Sequence, residues 1–150
     1  MRGGTGTAHR MAAGLECVRA LVLLGRTTVL FRLGGARRVA LATERALDAP
    51  PGLSGRGGRA ALSRSLRAVR RAKALWPLPV LCLQSALVLR ALYVRQGLPA
   101  RVRVGVRLVD GELVSHAWVE VDGIAVDDTR GSDAAWTLIE RNVPRGESQA

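Results

Sequence analysis

The chain has 150 residues, of which 48% are hydrophobic, and it carries a formal net charge of +11. This length fits one domain, and the hydrophobic fraction is large enough to build a core. Two cysteines and two histidines are too few for a disulfide framework or a metal site. The sequence therefore predicts one cytoplasmic domain with reduced thiols and without a metal or cofactor.

The positive charge is concentrated in the N-terminal half of the chain. Residues 1–75 carry 15 basic and 3 acidic side chains, whereas residues 76–150 carry 8 and 9. All the basic residues are arginine except Lys73, which is typical of a GC-rich genome, and no aromatic platform accompanies them. The pattern therefore argues against a nucleic-acid ligand. It leaves open an acidic protein partner or contact with an anionic membrane surface.

The first third of the chain is predicted as an extension of the domain. Residues 1–12 are rich in glycine and lack periodicity, which predicts a disordered N-terminus, and Met11 is a second candidate for the start. Residues 13–58 are predicted as a helical extension whose first helix covers about 15–33. This extension ends in a Gly/Pro-rich linker over residues 49–58.

Residues 59–143 are predicted to form the core domain, and its first half is helical. A basic amphipathic helix over residues 60–75 is followed by WPLP, a sequence that breaks helices and favours extended backbone. A mostly buried helix then begins at or near Cys82. It ends at Gly97, since glycine is the preferred residue after a helix C-terminus.

The second half of the core is predicted to be an antiparallel meander. Apolar residues alternate with polar ones, and two Asp-Gly pairs provide turn signals. The predicted strands are residues 101–109, 113–121 and 124–128. Trp136 is predicted to cap the sheet from a short C-terminal helix, and residues 144–150 are predicted to fray. Helices followed by strands indicate an α+β fold.

Cys82 is the first residue with a predicted chemical role. The positive end of a helix macrodipole and the free N–H groups of the first turn favour the thiolate, which is the nucleophilic form. The same N–H groups can hold an oxyanion, and Gln84 is an uncertain additional donor. Taken alone, Cys82 fits a buried structural cysteine in the apolar context VLCL better than it fits a nucleophile.

His116 provides the base that a nucleophilic cysteine requires. By strand alternation it shares a face with Trp118 and Glu120. A catalytic histidine is in turn oriented by a carboxylate, which Asp127 or Asp128 on the next strand can supply. A cysteine on a helix, followed by a histidine and an aspartate on successive strands, predicts a catalytic triad.

Two segments of the chain carry a family resemblance. CLQSALVLRALYVRQGLPARVRVGVRL followed by HAWVEVDGIAVDD resembles the transglutaminase-like cysteine peptidases of lasso peptide biosynthesis, over about residues 74–140. Those enzymes remove the leader from a ribosomally made precursor before the core peptide is cyclised. The resemblance implies a papain/transglutaminase-like core, in which the nucleophile helix packs on an antiparallel sheet.

The resemblance also implies roles for individual residues. Cys82 matches the nucleophile, His116 the general base and Asp128 the aspartate that orients the histidine. A strict two-residue turn at Asp122-Gly123 would instead put Asp127 on the face of His116, whereas a bulge would return Asp128 to that face. We predict Asp128, with Asp127 as the alternative.

The resemblance further implies the partners of such a peptidase. Because residues 1–75 are predicted as helix and linker, the chain resembles the type that relies on a stand-alone leader-recognition protein. The other implied partners are the precursor leader and an asparagine synthetase-like lasso cyclase. Two alternatives remain open. One is an acyl transferase with the same triad, and the other is a non-enzymatic protein that binds a partner or nucleic acid through basic residues 15–75.

Overall fold

The computed structural model describes residues 4–34, 38–39, 41–43, 45, 59–126 and 136–138, with side chains from residue 11 onward except at residue 59. Three helices have described bounds, α1 (Gly4–Leu33), α2 (Arg59–Leu75) and α3 (Cys82–Arg95), and residues 38–39, 41–43 and 45 are also helical. The strands are β1 (Ala100–Val109), β2 (Glu112–Val121), β3 (Ile124–Ala125) and β4 (Thr137–Leu138). The helices precede the sheet along the chain, which confirms the α+β prediction.

Helix α1 is longer than its sequence predicts. It begins at Gly4, whereas residues 1–12 are predicted to be disordered and the helix is predicted from Leu15. Once a packed turn has formed, each further residue adds one backbone hydrogen bond without a new nucleation cost, so a helix extends readily beyond its buried part. The C-terminal end agrees with the prediction, because α1 ends at Leu33 and Gly34 follows.

One hydrophobic core joins the helices to the sheet. Helix α1 packs against α2 and α3, and α3 packs against β1 and β2. Ala20 and Leu24 of α1 are fully buried in this core. The segment predicted as a helical extension therefore contributes to the core through α1. The core residues of the other elements are Ala68, Val69, Ala72, Ala86, Val88, Leu89, Leu92, Tyr93, Leu98, Ala100, Val102, Ala117, Val119 and Val121.

Two side-chain hydrogen bonds fix the end of α3 against α2. The Tyr93 hydroxyl donates to the Leu62 carbonyl at 3.2 Å, and Gln96 Nε2 donates to Ser65 Oγ at 2.6 Å. Ser65 is fully buried, so this bond satisfies a hydroxyl that would otherwise be costly to bury. Trp76, in the segment that connects the two helices, packs against the core.

The two long strands form a hairpin with the predicted turn. Strands β1 and β2 pair antiparallel from Ala100↔Val121 to Val109↔Glu112. Asp110 and Gly111 have φ values of 51° and 84°. Positive φ at both central residues is the geometry of a tight two-residue hairpin turn, and Asp-Gly adopts it more readily than most pairs.

The sheet has four strands in the order β3-β2-β1-β4. Three were predicted, but β4 was not, because Thr137 and Leu138 were expected in a short helix. They pair instead with Val106 and Gly105 of β1. A two-residue strand carries no readable alternation, so this pairing depends on long-range contacts. None of the helices within the described ranges is long and apolar enough to span a bilayer.

Candidate active site

Cys82 is the first residue of α3, and its side chain is exposed. The preceding residue, Leu81, has extended backbone and offers no side-chain cap to the helix. The first intrahelical bond runs from Ser85 N to Leu81 O at 3.0 Å. The amides of residues 82–84 therefore have no acceptor within the helix, because the first turn of any α-helix leaves its N–H groups unpaired. Those amides belong to the same helical turn as Cys82, at the positive end of the helix dipole, which favours negative charge.

His116 lies in the middle of β2, opposite Gly105 of β1. Its side chain is buried, with 8% of its surface exposed. The imidazole stacks on Trp118 at a centroid distance of 6.1 Å and contacts Trp136 at 5.5 Å. Two indole rings therefore hold the imidazole in a restricted orientation.

A polar pair anchors one of these indoles. Trp118 Nε1 donates to Glu120 Oε1 at 3.2 Å, and Arg103 Nε donates to Glu120 Oε2 at 2.9 Å. Both carboxylate oxygens are thus occupied, and the Arg103 bond is charge-assisted. The predicted shared face of His116, Trp118 and Glu120 is confirmed by the ring stacking and by this bond.

Trp136 is the neighbour of His116 that sequence reasoning missed. Its ring centroid lies 6.3 Å from that of Trp118, and the Arg107 guanidinium lies over the Trp136 ring at 4.5 Å from its centroid. Trp136 immediately precedes β4, so the pairing of β4 with β1 brings it over the sheet. The only sequence signal for this role was an aromatic residue beyond the last predicted strand.

The two candidate catalytic residues lie on elements that pack together. Alternation along β2 directs Ala117, Val119 and Val121 into the core shared with the helices. His116 occupies the alternate face of the strand, together with the indoles. Helix α3, which begins at Cys82, packs on β2. Helix α3 therefore contacts the strand that carries the imidazole, but His116 lies on the face of β2 that alternates with the core residues, so the pairing of the Cys82 thiol with His116 stays a prediction.

The third triad position lies outside the described residues. Asp127 and Asp128 both fall there, so the assignment of the orienting carboxylate stays a prediction. The described part of the β2–β3 hairpin has the register of a strict two-residue turn, with Val121 opposite Ile124. In the sequence analysis, that register was the condition that favoured Asp127.

Gln84 has a structural role in place of the oxyanion role considered above. It is buried in the first turn of α3, and its Nε2 donates to Thr28 Oγ1 of α1 at 2.6 Å. A second contact, at 3.5 Å, reaches the Leu24 carbonyl. Gln84 therefore ties the N-terminal turn of the nucleophile helix to α1 and directs its amide away from Cys82.

We expect Gln84→Ala to lower the free energy of unfolding by about 1–3 kcal/mol, because it removes a buried hydrogen bond between helices. Urea unfolding of Gln84→Ala, Thr28→Ala and the double variant measures this. The two changes should be non-additive, since they remove the same bond. Thr27→Ala is the matched control, because the Thr27 hydroxyl bonds only within α1. Additivity of the Gln84 and Thr28 changes would contradict the assignment.

Gly105 leaves room for the aromatic rings around His116. A Cβ at this position would lie 3.0 Å from Trp118 Cη2 and 3.0 Å from Trp136 Cβ. These contacts are closer than ordinary van der Waals distances, so the indoles would have to move. The packing of Trp118 and Trp136 therefore leaves no space for a side chain at residue 105, opposite His116.

We expect Gly105→Ala to destabilise the protein by about 1–3 kcal/mol through overpacking. Gly14→Ala is the control, since the space around Gly14 in α1 is open and alanine there should stabilise the helix by about 0.5–1 kcal/mol. Urea unfolding followed by tryptophan fluorescence reports both changes. If Gly105→Ala has the same urea midpoint as wild type, the two indoles do not pack closely against residue 105.

Comparisons with known proteins give one match. A family model described as Transglutaminase-like superfamily matches residues 20–141, which include the C-terminal part of α1, all of α2 and α3, and the four described strands. Neither the comparison with curated proteins nor that with solved structures gave a match. Helices packed on an antiparallel sheet agree with that family. The chain therefore belongs to the transglutaminase-like superfamily.

Proposed function

We propose that this protein is a cysteine peptidase that removes the leader from a ribosomally made lasso peptide precursor. The superfamily generally comprises cysteine proteases and acyltransferases. The observation that carries the proposal is the position of Cys82, an exposed thiol at an uncapped helix N-terminus. The substrate class rests on the resemblance of the two segments around Cys82 and His116 to lasso leader peptidases.

The proposed reaction proceeds through an acyl-enzyme. The Cys82 thiolate attacks the carbonyl carbon of the last leader residue, and the carbonyl oxygen takes the negative charge. The unpaired amides of the first turn of α3 are the donors nearest to that oxyanion. The protonated imidazole of His116 then gives its proton to the departing amine of the core peptide, and the peptide C–N bond breaks.

Hydrolysis of the thioester completes the cycle. His116, now neutral, takes a proton from water as the water attacks the acyl carbon. The C–S bond breaks, the leader leaves as a carboxylic acid, and the thiolate–imidazolium pair is restored. Asp128, with Asp127 as the alternative, would orient the imidazole through a hydrogen bond. The stacked Trp118 indole and the tilted Trp136 indole restrict the rotation of the same imidazole.

The same acyl-enzyme serves an acyl transferase, which is the second candidate because the superfamily includes such enzymes. In that reaction an amine replaces water as the nucleophile at the thioester carbon. The proposed partners also follow from the peptidase assignment. They are the precursor leader, a stand-alone leader-recognition protein and an asparagine synthetase-like cyclase that takes the released core peptide.

Mass spectrometry of a precursor peptide encoded beside this gene tests the proposal. The peptide is incubated with the chain, with and without the leader-recognition protein, in the presence and absence of a small primary amine. A peptidase gives two products, the free leader acid and the core peptide with a new amino terminus. A leader that carries the added amine in place of the acid would instead identify an acyl transferase. No cleavage with all components present would contradict both reactions.

A further inference from the structure

The outer surface of α1 carries a continuous row of exposed apolar side chains. Their sequence spacings are four, three, four, seven and four residues, which places them within an arc of about 60° along about 33 Å of helix. Each is more than half exposed. We call this row the α1 stripe, and its members are Met11, Leu15, Val18, Val22, Val29 and Leu33.

The stripe is separate from the core of the domain. The opposite side of the same helix is buried through Ala20 and Leu24, so α1 is apolar on two faces. A helix that is apolar all round is normally covered all round. Monomeric proteins rarely expose contiguous apolar surface of this extent unless it is an interaction site.

Part of the stripe forms the floor of a groove. A cavity of about 530 Å³ lies over Val22, Gly25, Val29 and Leu33, with Arg26 and Arg38 among its other lining residues. Gly25 has no side chain, and it falls between two stripe residues on the same side of the helix. A concave apolar floor of this kind accepts side chains inserted from a facing helix.

The charges beside the stripe select the kind of partner. Arg26 and Arg38 are exposed and line the groove, and Arg32 is exposed in the last turn of α1. Glu16 is the one acidic residue in the sequence of α1, and it already pairs with Arg19 at 3.0 Å. A second copy of α1 would bring like charges together, which opposes self-association. An acidic helix would instead neutralise the arginines as its apolar side chains fill the groove.

We propose that the α1 stripe binds an amphipathic helix of a partner polypeptide whose polar residues are mainly acidic. A membrane surface would also match apolar and basic chemistry, but it is flat and cannot fill the concave floor beside Gly25. The proposal rests on α1 alone, so its test does not depend on the catalytic assignment.

A synthetic peptide of about 21 residues, the length of the stripe at the helical rise, is a direct probe. It has leucine at both core positions of each heptad and mainly glutamate elsewhere, with a fluorophore for anisotropy. A second peptide replaces each glutamate with lysine. We expect the full chain to bind the acidic peptide at least tenfold more tightly than the basic one. Binding should weaken between 50 and 500 mM salt, because surface charge attraction is screened.

Matched variants locate the binding surface. Val22→Glu/Val29→Glu should weaken acidic-peptide binding at least tenfold. Leu108→Glu/Leu113→Glu should leave it unchanged, because those leucines are equally exposed but lie at the β1–β2 hairpin tip. Circular dichroism checks that all four changes leave the helices intact, as expected for exposed positions.

Four results would overturn the proposal. The first is equal affinity for the acidic and the basic peptide. The second is acidic-peptide binding that is unchanged in Val22→Glu/Val29→Glu. The third is a dimer, detected by light scattering, that Val22→Glu/Val29→Glu dissociates. The fourth is stripe-dependent binding to phosphatidylglycerol–phosphatidylcholine vesicles without binding to the acidic peptide, which would identify a membrane-surface helix.

Discussion

Replacing Cys82 with alanine is expected to lower the rate of precursor cleavage by at least about 10⁴-fold, because it removes the attacking atom and leaves only binding and oxyanion stabilisation. The change should have little effect on folding, since the Cys82 side chain is exposed. Cleavage rates for wild type and Cys82→Ala, measured by mass spectrometry under single-turnover conditions, give the comparison.

Cys17 provides the matched control for this experiment. It is the other cysteine of the chain and lies half-buried in α1. Cys17→Ala should cleave at the wild-type rate, with at most a modest loss of stability. If Cys82→Ala retains cleavage, or if Cys17→Ala is the inactive variant, the nucleophile has been assigned to the wrong thiol.

Replacing His116 with alanine is expected to slow cleavage by about 10²–10⁴-fold, the range attributed to a positioned general acid–base. The double variant Cys82→Ala/His116→Ala should be no slower than Cys82→Ala alone, because the two residues act as one unit. Ser115→Ala is the control, since Ser115 neighbours His116 in β2 but is exposed. If the double variant instead loses cleavage rate by the product of the two single losses, His116 does not act on the Cys82 thiol.

Stability must be measured alongside this variant, because His116 is buried between two indoles. Loss of the ring leaves space beside Trp118 and Trp136, so His116→Ala should also be less stable. His116→Asn keeps a polar side chain there but cannot shuttle a proton at neutral pH. If both variants are folded at the assay temperature and both are slow, the loss is chemical in origin.

Local signals account for most of the fold that could be predicted. The Asp-Gly pairs fix two-residue turns because their backbone tolerates positive φ, and both turns are observed. Period-two alternation identified β1 and β2, and the helical period with Gly97 identified α3. These features depend on neighbours a few residues apart, which a single sequence displays directly.

Long-range pairings explain what the sequence did not predict. Among the described residues, strand β4 pairs with β1, and Trp136 reaches His116 through that pairing. The bond from Gln84 to Thr28 joins residues 56 positions apart. The sequence close to Gln84 does not reveal this partner, so an oxyanion role for its side chain stayed open in the prediction. The pairing of the Cys82 helix with the His116 strand was inferred from chemistry and family resemblance, and their contact is observed.

The most direct test of the account is the rate of alkylation at Cys82 with and without the His116 imidazole. A thiolate reacts with iodoacetamide far faster than a thiol, and a neighbouring imidazole base activates a nucleophilic cysteine. Peptide mass spectrometry measures the rate separately for each cysteine at pH 7, in wild type, His116→Ala and Ser115→Ala. We expect His116→Ala to slow alkylation of Cys82 at least about tenfold while Cys17 reacts at its wild-type rate, and we expect Ser115→Ala to change neither rate. A Cys82 rate unchanged by His116→Ala would contradict a catalytic thiol–imidazole pair.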